Sequence, residues 1–139
     1  MCKDFLKDSS NGNGTVEVQA NGCLVYGLLV NYDKDCSITV NGGNYIADSV
    51  YDALVYTSSN ERVFINGGNF HLANVGAGDR GNGSPWIFNA LGQNTNHVVV
   101  NGGTFNADIA NQYWKYEVDI ADGKICKQTG DSTWTVDNE

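Results

Sequence analysis

A chain of 139 residues with 41% hydrophobic and 17% charged side chains is long enough for one domain with a core, and too apolar for a disordered tail. A net charge of −8 argues against a nucleic-acid backbone as partner, and no apolar run approaches the ~18 residues of a membrane helix. Glycine occurs 17 times, asparagine 18 times and proline once, a composition that favours tight turns over long helices and leaves no room for a proline-rich linker.

From the N-terminus, Met1–Asp8 has no apolar stretch of a secretory signal, so export is not expected, and Lys7–Gly14 reads as a polar flank. Thr15-Val16-Glu17-Val18-Gln19-Ala20-Asn21-Gly22 alternates apolar and polar residues and reads as a degenerate first copy of a repeat that has lost its second glycine. Cys23–Val30 is an expected strand and Asn31–Cys36 a polar turn. Then comes Ser37-Ile38-Thr39-Val40-Asn41-Gly42-Gly43-Asn44-Tyr45: a strand, a Gly-Gly corner and a short aromatic strand. The same order returns as Ala53–Tyr56, the turn Thr57–Glu61 and Arg62-Val63-Phe64-Ile65-Asn66-Gly67-Gly68-Asn69-Phe70. It returns again as Trp86–Ala90, the turn Leu91–Asn96 and His97-Val98-Val99-Val100-Asn101-Gly102-Gly103-Thr104-Phe105.

The Asn-Gly-Gly units start 25 and then 35 residues apart, in the range of solenoid and propeller repeats. A hairpin meander would not put one corner at the same phase in every copy. In a parallel β-helix, equivalent positions stack about 4.8 Å apart. Ile38, Val63 and Val98, with Val40, Ile65 and Val100, would then fill the interior. Asn41, Asn66 and Asn101 would form a ladder of amides, each bonding its neighbour or the corner backbone. The pairs Gly42-Gly43, Gly67-Gly68 and Gly102-Gly103 would permit positive φ and close packing, and Tyr45, Phe70 and Phe105 would stack after the corner. All twelve residues read as builders of the coil.

The longer interval holds the glycine-rich excursion Val75–Pro85, where Asp79 and Arg80 are the distinctive contacts for a partner; it lacks the Lys-Ser/Thr of a phosphate loop. After Phe105, Asn106–Tyr113 reads as one short helix, and Tyr116–Ile120, Gly123–Lys127 and Trp134–Val136 as strands with a turn at Gly130-Asp131. These strands, with Trp114 and Trp134, would cover the open end of the stack. The expected organisation is an N-terminal flank over 1–14, coils over 15–113 and a capping β segment over 114–139. The fold class is all-β: a short parallel β-helix of about three to four coils with a C-terminal β cap.

No catalytic constellation stands out. Asp48 and Asp52 lie between coils without counterparts at the same phase, Asp33 and Asp35 sit on a turn, and about 15–20 Å of stacked coils makes a short groove for a polysaccharide. His71 and His97 fall at different repeat phases and read as solvated turn positions. Asp33–Ser37 begins like a calcium loop, but Ile38 and Asn44 stand where a glycine and a glutamate are needed, so neither metal nor cofactor is expected. Cys2, Cys23, Cys36 and Cys126 contain no C-x-x-C pair; free thiols are favoured over one or two disulfides.

The three N-G-G-[NT]-[FY] corners resemble those of right-handed parallel β-helix (pectate-lyase-like) repeat proteins of Gram-positive bacterial surfaces and their phages. The end is similar too, with Gly102–Ile109 followed by Ala121–Cys126 and Gly130–Val136. The likeness spans roughly residues 22–136 and implies a right-handed coil with no family catalytic residue carried over. It implies one of two roles. The first is a capsid-decorating virion protein seated on a major capsid protein, as a homo-trimer or other small oligomer. The second is a bacterial cell-surface module binding a host glycan, for which Trp86, Trp114 or Tyr116 would supply stacking. Neither role involves nucleic acid or a membrane.

Overall fold

The computed structural model describes residues 15–18, 29–31, 37–47, 53–73, 75, 86–90, 97–110 and 118–139. They are all-β, with thirteen strands and no helix among the described residues. In chain order these are β1 (Thr15–Val18), β2 (Leu29–Asn31), β3 (Ile38–Val40), β4 (Asn44–Ala47), β5 (Ala53–Thr57), β6 (Val63–Ile65), β7 (Asn69–Leu72), β8 (Trp86–Ala90), β9 (Val98–Val100), β10 (Gly103–Phe105), β11 (Val118–Ile120), β12 (Lys124–Gly130) and β13 (Thr133–Asn138).

Three sheets arise from three phases of the repeat. Strands before the corner form the order β11-β9-β6-β3, strands after it β1-β4-β7-β10-β13-β12, and the remaining strands β2-β5-β8. Every pairing up to β10 and β11 is parallel, and like residues face like: Ile38, Val63, Val98 and Val118 share one row, and Val40, Ile65, Val100 and Ile120 another. The alternation in these β-branched strands turns the outer two residues of each triplet inward and the middle one outward. By contrast β5 is buried along its whole length and β8 nearly so, as expected of parallel strands covered on both faces.

All three sheets contribute to one apolar core. Its centre is aromatic. Phe70 stacks on Tyr45 at 4.9 Å and on Phe105 at 5.3 Å between ring centroids, while Phe88 of β8 meets Phe70 and Phe105 at steep angles. Tyr45 keeps its hydroxyl satisfied by donating to the Gly42 carbonyl at 3.0 Å.

The corners explain why two glycines recur. The second has positive φ, 96° at Gly43, 116° at Gly68 and 125° at Gly103, where an L side chain is strained. The first is constrained by packing: a Cβ on Gly67 would lie 3.0 Å from the Asn41 carbonyl oxygen, and one on Gly102 2.9 Å from that of Asn66. Main-chain bonds continue around the bend, from Asn66 N–H to the Val40 carbonyl and from Asn69 N–H to that of Gly43, and again one unit later.

Several expectations change. Thr15–Val18 pairs with Asn44–Ala47, so this segment matches the strand after the corner, not the apolar strand before it. Its alternation was legible, but alternation alone does not assign a phase. Residues 106–110 form bends and turns where a short helix was expected, and 111–113 lie outside the described residues. Here the Asn106 side chain competes for backbone, accepting from Leu72 N–H at 2.9 Å and donating to the Leu72 carbonyl at 2.8 Å. The parallel rows also extend into the segment read as a cap, because β11 pairs with β9.

The stack ends by a change of direction. Beyond β11 the chain turns at Gly123 and runs out along β12, and β13 folds back antiparallel between β12 and β10. Val136 and Trp134 thereby occupy the row after Gly103 and Phe105. Lys124 and Lys127 lie on the outermost strand, where charge discourages further pairing.

Candidate functional site

The corner ladder is the most regular surface feature. Asn66 donates from Nδ2 to Asn41 Oδ1, and Asn101 from Nδ2 to Asn66 Oδ1, each at 2.8 Å. A second row lies three residues on, with Asn69 Nδ2 at 3.4 Å from Asn44 Oδ1. Along this row each amide bonds its neighbour, and Asn41 and Asn66 are exposed. Thus the twelve coil-building residues are brought together as three rows, of amides, glycines and rings.

Asp79, Arg80 and Trp114 lie outside the described residues, as do Asp33, Asp35, Asp48, Asp52, Tyr116, Cys2, Cys23 and Cys36. Trp86 is half-buried and packs against the core. The outward row of the four-stranded sheet holds what the sequence reading passed over. Phe64 is 37% exposed and stands between Thr39 and Val99, with the exposed Arg62 two residues before it and Asn66 two after. An aromatic at the outward position of an alternating strand was the available signal.

The histidines separate. His71 is exposed on β7, whereas His97 is only 6% exposed, not a solvated turn residue. Its ring lies near the backbone of Glu61 and Ser59 in the turn between β5 and β6, and Nε2 finds no partner among the described residues. Burial lowers its pKa below the ordinary histidine value; the Glu61 backbone opposes the shift and the nearby Arg62 charge adds to it. The turn itself is tied by Ser59 N–H to Thr57 Oγ1 and Glu61 N–H to Ser59 Oγ, both at 3.0 Å. Cys126 is a free, half-buried thiol whose pKa is raised by burial and by Asp108, against the N–H groups of Ala110 and Ile109.

Among the described residues no three His, Cys, Asp or Glu side chains converge on a metal position, and no helix is long and apolar enough to cross a membrane. Compared with known protein families, characterised proteins and solved structures, the chain matches none.

Proposed function

We propose that this chain is a non-enzymatic structural protein, a short right-handed parallel β-helix that seats on the outside of a phage capsid and stabilises it. The β-helix reading is supported by the order in which the chain visits its sheets. From β1 to β9 it passes from the six-stranded to the three-stranded to the four-stranded sheet three times, one strand per sheet on each circuit. A right hand follows from the general handedness of parallel crossovers.

One observation carries the structural role. The repeated asparagine, glycine and aromatic positions satisfy or stack upon their own counterparts one coil away, so the recurring chemistry makes a rigid body. A rigid block with a charge of −8 stays soluble as free copies and is repelled by packaged nucleic acid. Attachment to the major capsid protein then relies on apolar and hydrogen-bonding contacts, in a trimer or other small symmetric oligomer on the lattice axes.

A glycan-binding surface module is the second reading, favoured by the exposed Phe64 with Arg62 and Asn66 on the same face. Cryo-electron microscopy of shells assembled with and without the protein separates the two. Added density on the shell surface supports decoration. Bare shells, together with glycan-array binding that Phe64→Ala abolishes, transfer the assignment to the glycan module.

A further inference from the structure

We propose that Asn101 is a site of spontaneous covalent modification, at which the Asn101-Gly102 linkage converts to aspartate and isoaspartate faster than Asn66-Gly67 because Asn101 is the last rung of the amide ladder. The chemistry needs only water and base. Glycine leaves the nitrogen after an asparagine unhindered. When solvent base removes its proton, the Gly102 nitrogen attacks Asn101 Cγ; the N–Cγ bond forms and the Cγ–Nδ2 bond breaks. Nδ2 takes a proton from solvent and departs as ammonia. Water then opens the succinimide at either carbonyl, giving aspartate or isoaspartate.

The ladder restrains this step unequally. The side chain must rotate toward its own following nitrogen, which breaks the hydrogen bonds that hold it in the row. Asn66 has two: it donates to Asn41 and accepts from Asn101. Asn101 donates to Asn66, but its Oδ1 accepts from none of the described residues. The reason lies one rung further. Ala121 N–H donates to the Val100 carbonyl at 3.0 Å as Asn101 N–H donates to that of Ile65, so Ala121 occupies the next ladder position and brings no amide. One hydrogen bond fewer corresponds to a rate difference of roughly two- to tenfold.

The product does not stay in register. Aspartate at 101 has no N–H for Asn66 Oδ1. Isoaspartate lengthens the backbone where even a Cβ on Gly102 would lie 2.9 Å from the Asn66 carbonyl oxygen. Asn66 then becomes the terminal rung, so modification proceeds along the ladder from 101 toward 41.

The test is mass spectrometry of the intact folded protein aged in mildly alkaline buffer. Trypsin, cutting after Arg62, Arg80 and Lys115, places Asn66 and Asn101 on separate peptides, and fragment spectra locate each amide-to-acid conversion. Conversion at Asn101 is expected to lead Asn66 by the stated factor, with the gap closing in concentrated denaturant. Ala121→Asn, which supplies the missing donor, brings Asn101 down to the rate of Asn66, whereas Ala121→Val leaves it unchanged. Asn101→Asp accelerates Asn66. Equal rates at the two sites in the folded parent, or an unslowed Asn101 in a folded Ala121→Asn variant, overturn the proposal. If Ala121→Asn does not fold, the comparison within the parent decides.

Discussion

Phe70→Ala is the sharpest probe of the stack. Phe70 is fully buried and its ring touches three others: Tyr45 and Phe105 face to face and Phe88 at a tilt. Truncating a buried phenylalanine costs about 3–5 kcal/mol from lost transfer energy and the cavity left behind. Each aromatic pair adds about 0.5–1.5 kcal/mol beyond burial. Rows above and below are held by main-chain bonds, from Asn69 N–H to the Gly43 carbonyl and from Thr104 N–H to that of Gly68, so the cavity cannot readily collapse. The expected loss is therefore in the upper part of the range, about 4–5 kcal/mol, a large share of the ~5–15 kcal/mol that holds a domain folded. Urea unfolding followed by far-ultraviolet circular dichroism reads it as a fall in midpoint at constant slope. A double-mutant cycle with Phe105→Ala isolates the pair, expected to couple by about 0.5–1.5 kcal/mol. Phe64→Ala, on the outward face, serves as control and should change stability by less than ~1 kcal/mol. A loss at Phe70 below ~2 kcal/mol, or no coupling to Phe105, would refute the stacked-core argument.

Three further outcomes follow from the same geometry. Gly103→Ala should destabilise more than Gly123→Ala, because a Cβ at 103 meets the Gly68 carbonyl oxygen and the Phe105 ring at 3.1 Å while one at 123 meets nothing within 4 Å; both have positive φ, so Gly123→Ala isolates a strain of about 1–2 kcal/mol, and equal urea midpoints would contradict this. Asn106→Ala strips both side-chain bonds from the Leu72 backbone and should cost about 1–3 kcal/mol, with faster amide exchange at Leu72 as the local readout. For pH, the folded pKa of His97 lies below its unfolded value, so the unfolded chain binds the extra proton first; stability is full above about 6.5 and declines as pH falls from there through the folded pKa, and His97→Gln should flatten that slope in thermal melts.

Much of the arrangement was legible in short strings, because their information is local. Triplets with Val or Ile at both ends followed by Asn-Gly-Gly encode strand, phase and corner within nine residues, and self-similarity then implies that equal positions lie side by side. A positive φ strongly favours glycine, so the repeated Gly-Gly pairs made corners at Gly43, Gly68 and Gly103 legible before any tertiary contact. The outward Phe64 was equally written in the alternation, but which outward residues remain uncovered depends on what packs beside them.

Only the tertiary structure decided the features that depend on distant partners. Thr15–Val18 alternates correctly in any register, and its pairing with Asn44–Ala47 is set by the row available beside it. His97 is polar and follows a turn, yet the turn at 58–61 from the previous circuit closes over it, which no local pattern reveals. Residues 106–110 carry some helical propensity, but Asn106 gains two bonds to Leu72, 34 residues away, and a weak local preference yields to them. The end of the stack is the clearest case. Val118–Ile120 continues the row, whereas Ala121 removes the amide and the β12–β13 hairpin turns antiparallel, so that β13 takes the place beside β10 by a chain reversal.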